Sequence, residues 1–225
     1  MADDSRWRQA QAAELEFWKT CWHHPVYKDV NLEEYWREQT DLLGVEPQSL
    51  AGKSVLDLGC GPVGIINFLP VDGPRWAIDP LFHLYTQRIE RPGVRFSIAR
   101  GEAVPFPSES MDVVFCFNVL DHVADAEAVL ADVRRLLRAD GTLYVMVHTF
   151  PSWLKGLLFF DRPHTYHWDR GDVRGLLERA GFKLKRERHQ RRRFRLGAAD
   201  YLKPWLWPYA LGQCVVTSSY YVAVR

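Results

Sequence analysis

The sequence predicts an α/β fold: a doubly wound, mostly parallel sheet of seven strands, preceded by helices at the N-terminus. Three observations carry that class. Apolar runs too short for helices recur along the chain and alternate with segments of helical period, the pattern of strands joined by crossover helices. Several runs are apolar at nearly every position, as strands buried on both faces of a parallel sheet are. The first of them, Val55-Leu56-Asp57-Leu58, breaks directly into Gly59-Cys60-Gly61-Pro62-Val63-Gly64, a glycine turn that lets backbone approach a ligand without a Cβ in the way.

The chain has 225 residues, 47% apolar and 13% aromatic, enough for one sizeable core, so a single domain with a terminal elaboration is expected. A formal net charge of +1 gives no overall attraction to nucleic acid or to an anionic membrane. Cys21, Cys60, Cys116 and Cys214 lie far apart with no CxxC spacing, which reads as reduced thiols in a cytoplasmic protein. Met1-Ala2-Asp3-Asp4-Ser5-Arg6 lacks the basic and apolar regions of a secretory signal. No window is long and apolar enough for an integral membrane segment.

Taken in order, Trp7, Ala10, Phe17, Trp18, Cys21 and Trp22 recur at helical spacing, which predicts an amphipathic helix over 5–22. Asn31 followed by Glu34 signals the start of a second helix, and Gly44 its end. Both helices suit core packing. The density of tryptophan ahead of a nucleotide-type turn also suits a lid over a pocket. Pro62 predicts a helix opening after the glycine turn, its N-terminal N–H groups facing the ligand. Arg75-Trp76-Ala77-Ile78-Asp79 is a second strand ending in an acid, the group that binds ribose hydroxyls in doubly wound nucleotide folds; helix N-capping by Asp79 is the structural alternative. Residues 94–99 and 111–117 follow as strands. Asp125 caps a helix expected to run to Asp140-Gly141, residues 142–148 form a fifth strand, and Asp169 caps a helix ending at Gly181. Residues 182–188 and 217–225 supply the last two strands.

In this order, DLGCG, Ala77-Ile78-Asp79, GEAVPFPSESMDVV, NVLDHV, LLRADGTLYV and ERAGF make the chain resemble the class I S-adenosylmethionine-dependent methyltransferases over roughly residues 50–190. The resemblance implies a Rossmann-like domain over 51–225, elaborated at 150–215, behind a helical lid at 1–50. It implies S-adenosylmethionine as cofactor. Asp57, Gly59, Cys60 and Gly61 would lie along its methionine and adenosine portions. Asp79, with Pro80 beside it, would take the ribose, Glu102 and Ala103 would take the adenine, and Asn118 and Val119 would face the methionine amino group. One departure stands out: Val63 occupies the place of the family's third glycine, and Gly64 follows it.

An already activated methyl group needs mainly an aligned nucleophile, helped by a base when that nucleophile carries a proton. His122 and His148, both near the carboxyl ends of strands, are the expected bases; His122 also suits a structural role. Trp18, Trp22, Trp153, His164, Tyr166, His167 and Trp168 are the expected substrate contacts, which point to a small aromatic or apolar acceptor methylated on oxygen or nitrogen. His164 and His167 have an HxxH spacing but no neighbouring Cys or carboxylate pair, so no metal is expected. The basic run from Lys183 to Arg195 reads as a solvated edge strand rather than a nucleic-acid grip. The aromatic stretches at 153–160 and 201–209 suit a pocket wall first, and a homodimer contact or membrane-surface face second. A non-catalytic S-adenosylmethionine-binding protein, and methylation of a lipid-like or macromolecular acceptor, are the alternatives to small-molecule methylation.

Overall fold

The computed structural model describes residues 4–24, 26–155, 157–158, 164–192 and 202–225. Arg162-Pro163, Phe159-Phe160, Tyr201 and the Arg193 end of the basic run lie outside the described residues. Seven strands form one sheet: β1 (Val55–Leu58), β2 (Arg75–Ile78), β3 (Val94–Ser97), β4 (Met111–Phe117), β5 (Leu137–Thr149), β6 (Lys183–Arg191) and β7 (Thr217–Val224). Their spatial order is β3-β2-β1-β4-β5-β7-β6. Strands β1 to β5 pair in parallel, and β7 runs antiparallel between β5 and β6.

The helices are α1 (Asp4–Thr20), α2 (Leu32–Leu43), α3 (Ala126–Leu136), α4 (Ser152–Lys155), α5 (Arg170–Arg179) and α6 (Trp207–Val215). Local chemistry sets several of their ends. Asn31 accepts hydrogen bonds from the Glu33 and Glu34 N–H groups, while Gly44 closes α2 at φ 69°. Asp125 caps α3, and Asp169 with Asp172 forms a capping box on α5. Alternation along β4 builds two cores. Val114 and Cys116 face α3 and α5 with Leu56, Leu58, Val129, Val133 and Leu177. Val113, Phe115 and Phe117 face the opposite layer with Val55, Ile65, Ile66 and Leu43. No helix among the described residues is long and apolar enough to cross a membrane.

Four expectations change. The helix after Pro62 does not form: two short 3-10 turns, Gly61–Val63 and Ile65–Asn67, take its place. Only seven residues separate Pro62 from Pro70, and Pro70 cannot donate within a continuing helix. The segment after Asp79 likewise holds one 3-10 turn, Phe82–Leu84. Helix α3 stops at Leu136, and β5 begins at Leu137, because Met111↔Leu137 pairing extends the sheet across the predicted turn. Among the described residues, the aromatic stretches line no part of the cavity described below: Trp153, Trp205 and Trp207 are 69%, 66% and 54% exposed.

Candidate active site

The carboxyl ends of β1, β2, β4 and β5 open into one cavity of about 1030 Å³, roofed by α1 and α2. Asp57, Gly59, Cys60, Gly61, Asp79, Pro80, Glu102, Asn118, Val119, His122 and His148 all line it. Crossover topology explains the gathering: parallel strands bring their C-terminal turns to the same edge of the sheet.

The glycine turn is built by contact. A Cβ on Gly59, which sits at φ +70°, would meet Val119 Cγ2 at 2.4 Å. The displaced glycine has its own reason: a Cβ on Gly64 would meet Asp57 Oδ2 at 2.4 Å and Cys60 Cβ at 2.7 Å. The close approach therefore belongs to Gly64, while Val63 offers its carbonyl to Trp36 Nε1 at 2.8 Å. That bond ties α2 to the cradle. Trp36 also stacks on Phe117 at 5.9 Å.

Asp57 is 2% exposed, and its Oδ2 accepts from Ile66 N at 3.2 Å. Burial, with Asp79 adding repulsion, pushes its carboxyl up to about 7. Asp79 is 7% exposed and accepts from Leu81 N at 2.7 Å and Gly61 N at 3.0 Å. Burial pushes it up to about 6. Both readings of Asp79 are physically compatible, since its carboxylate orders the following turn and still lines the cavity. Asn118 adopts φ 58°, and its buried Oδ1 has no hydrogen-bond partner among the described residues.

Glu102 reaches across to the next loop, accepting from Ala124 N at 2.9 Å. Ala103 corrects an expectation: the turn closed by its N–H on the Arg100 carbonyl faces it to solvent, outside the cavity lining.

His148 and Ser218 are register partners in the β5·β7 ladder, with His148 Nδ1 3.3 Å from Ser218 Oγ. Burial, then the Arg192 guanidinium, holds the half-buried His148 imidazole well below its ordinary range. His122 stands between two carboxylates: Nδ1 is 3.8 Å from Glu14 Oε2, and Nε2 is 3.8 Å from Asp121 Oδ2.

Of the expected substrate contacts, Trp18, Trp22 and His164 line the cavity. Trp153, Tyr166, His167 and Trp168 do not. Trp153 is exposed on α4, whereas Tyr166 and Trp168 stack at 4.7 Å against the α3 core and Tyr166 donates to Ala124 O at 2.8 Å. His167 packs on Phe150. Sequence reasoning missed Glu14, Tyr35 and Tyr220, and treated Arg188, Arg191 and Arg192 as solvated although all three line the cavity mouth. Only the strand register, invisible in local pattern, could have shown that edge of β6 turning inward.

These residues suit S-adenosylmethionine. Two buried carboxylates and an orphaned amide oxygen face a space with two glycine positions closed to any side chain, an acceptor set for a ligand bringing hydroxyl and cationic groups.

Residues 56–145 match the family model described as a methyltransferase domain. A probable S-adenosylmethionine-dependent methyltransferase of Mycolicibacterium smegmatis is 28% identical over 161 residues, 68% of this chain and 61% of that protein. Human thiol S-methyltransferase TMT1B is 34% identical over 111 residues, 44% of this chain and 46% of that one. The chain thus spans about half the length of these curated relatives. Among solved structures, the geranyl diphosphate C-methyltransferase of Streptomyces coelicolor, in complex with Mg²⁺, geranyl diphosphate and S-adenosyl-L-homocysteine, shares the fold. Its TM-score is 0.62 at 12% identity, covering 85% of this chain and 78% of that one. The glycine turn, the acid after β2 and the first strands of the sheet fall in the frame of that domain, so residues 56–145 are similar to the methyltransferase domain and the chain shares the fold of the S-adenosylmethionine-dependent methyltransferases.

Proposed function

We propose that the chain methylates a small aromatic or apolar acceptor, on an oxygen or sulfur atom whose own proton is weakly held. S-adenosylmethionine supplies an activated methyl group. Asp79 takes the ribose hydroxyls, Asp57 and the Gly59–Gly64 turn hold the methionine end, Glu102 borders the adenine, and Asn118 receives the amino group.

The observation that carries the acceptor class is His148, kept neutral by burial beside Arg192. Beside a guanidinium, a neutral imidazole takes a proton more readily from a group that becomes anionic, as a phenol or thiol does, than from an ammonium group whose positive charge Arg192 repels. Arg192, at the cavity mouth with Tyr35 and Tyr220, favours an acceptor that becomes anionic as that proton leaves. Trp18 and Trp22, whose rings lie 5.6 Å apart and tilted by 42°, give an aromatic wall suited to an aromatic or apolar body. Helices α1 and α2 act as the lid, excluding water while the nucleophile is held in line at about 3–3.5 Å. The cavity stands at the upper end of the roughly 300–1,000 Å³ usual for one ligand, which leaves room for cofactor and acceptor together.

The test is a panel of phenols, carboxylic acids, thiols and amines incubated with methyl-labelled S-adenosylmethionine. Labelled product from the first three classes supports the reading. Label confined to amines overturns the acceptor class, and label confined to RNA or protein overturns the small-molecule claim.

A further inference from the structure

The ring centroids of His164 and His167, the histidines spaced HxxH, are 6.1 Å apart. His164 meets a residue pair from the loop after β4. The Asp121 carbonyl accepts from Thr165 N at 2.6 Å and Tyr166 N at 3.2 Å, which fastens the 164–168 segment to that loop. The fastening brings the His122 and His164 rings to 4.7 Å and sets both Nε2 atoms around one carboxylate oxygen. His164 Nε2 is 3.7 Å and His122 Nε2 is 3.8 Å from Asp121 Oδ2. One ligand atom from each of the three residues lies within 4.8 Å of the others.

Asp121 is 2% exposed, and its second oxygen, Oδ1, is buried with no hydrogen-bond partner among the described residues. A buried carboxylate with an unsatisfied oxygen calls for a positive charge or a donor that the described protein atoms do not supply. The other nitrogen of His122 faces Glu14 Oε2 at 3.8 Å, and Glu14 is itself held by Trp18 Nε1 at 2.6 Å. Carboxylate, imidazole and ligand in a row is the arrangement that fixes the tautomer of a metal-binding histidine.

We propose that Asp121, His122 and His164 form a binding site for a divalent cation of the zinc class at the edge of the active-site cavity. The ligand set is two imidazoles and one carboxylate, which zinc accepts with bonds of about 2.0–2.2 Å. Tetrahedral edges for such bonds are about 3.3 Å, so the two His–Asp121 separations close by roughly half an ångström on the ion. Three protein ligands leave a coordination position open, and His122 and His164 both line the cavity. A hydroxyl or thiol entering that position would bind in its deprotonated form, since a bound cation lowers the pKa of its ligands. The site joins the loop after β4 to the 164–168 segment, beside Glu14 of α1.

The test uses the full chain, stripped with a chelator and titrated with Zn²⁺ alone by calorimetry and with Co²⁺ by visible absorption. One equivalent of Zn²⁺ and the absorption bands of low-coordinate Co²⁺ are expected. His164→Ala is expected to reduce Zn²⁺ affinity by 100-fold or more while leaving S-adenosylhomocysteine binding intact, which confirms the fold. Glu14→Gln, which removes only the orienting carboxylate, is expected to reduce it by about 10–100-fold. Failure of the wild-type chain to take up either ion, or uptake undiminished in both His164→Ala and His122→Ala, overturns the site. The titration involves no acceptor and no turnover, so its failure leaves the methyl-transfer reading standing.

Discussion

Gly64→Ala tests the cradle with a single methyl group. Gly64 has φ −51° and ψ 151°, which alanine adopts without strain, so the substitution acts through contact alone. The new Cβ would sit 2.4 Å from Asp57 Oδ2, 2.7 Å from Cys60 Cβ and 2.8 Å from Cys60 O. Asp57 and Cys60 are 2% and 6% exposed, so neither can swing into solvent. Overpacking a site of this kind costs about 1–3 kcal/mol. Displacing Asp57 also breaks its bond from Ile66 N and leaves a buried donor unpaired, a further cost of about 1–3 kcal/mol. The sum, roughly 2–6 kcal/mol, lowers Tm by roughly 5–20 °C in a chain of this size. S-adenosylhomocysteine affinity should fall at least tenfold. Gly52→Ala is the comparison: its Cβ meets nothing within 4 Å, and only its φ of +67° opposes the change. That variant should cost about 1–2 kcal/mol and leave cofactor binding alone. Thermal unfolding and calorimetry read both. Wild-type Tm and affinity in Gly64→Ala would refute the contact argument.

His148→Ala should lower turnover by about 10²–10⁴-fold with S-adenosylhomocysteine affinity unchanged, as measured by steady-state kinetics beside calorimetry. Because burial and Arg192 hold the His148 imidazole below its ordinary range, the acid limb of the wild-type kcat profile should lie below pH 6.5; a limb at or above that value contradicts the base. Asp57 and Asp79, with carboxyls pushed up to about 7 and about 6, take up protons as pH falls through that interval. Cofactor affinity should therefore be highest near pH 8 and decline toward pH 5.5, and titrations showing no decline would exclude these carboxylates as ligands. Trp36→Phe keeps the stacking on Phe117 but removes the donor to Val63 O, so it should cost about 0.5–1.5 kcal/mol and weaken S-adenosylhomocysteine several-fold.

Much of this architecture is local and therefore readable in the sequence. Strand β4 follows its apolar run from Met111 to Phe117, and Asn31, Asp125 and Asp169 cap the helices their side chains announce. The cavity lining from Asp57 to Val119 is legible because turns after parallel strands share one edge. What local pattern does not carry is register. The pairing of β7 between β5 and β6 puts Ser218 against His148 and turns Arg192 toward the cavity, and no spacing within either segment encodes it. Aromatic residues mislead for a related reason: Tyr166, Trp168 and Trp153 share composition with Trp18 and Trp22, but contact with α3 buries the first two and helix orientation exposes the third. The missing helix after Pro62 reflects competition between propensity and space, decided by Pro70 and by Asp57 reaching Ile66 N.

The assignment of Asp79 as the ribose ligand carries most of the account, and titration of S-adenosylhomocysteine into wild type and Asp79→Asn measures it directly. Leu81 N donates to Oδ1 and Gly61 N to Oδ2, so asparagine keeps the acceptor for Leu81 N while the charge and the bond from Gly61 N are removed. One equivalent bound by the wild type, with a loss of tenfold or more in a variant that still unfolds cooperatively, is the predicted result; equal affinity in the two proteins would contradict the assignment and the cradle built on it.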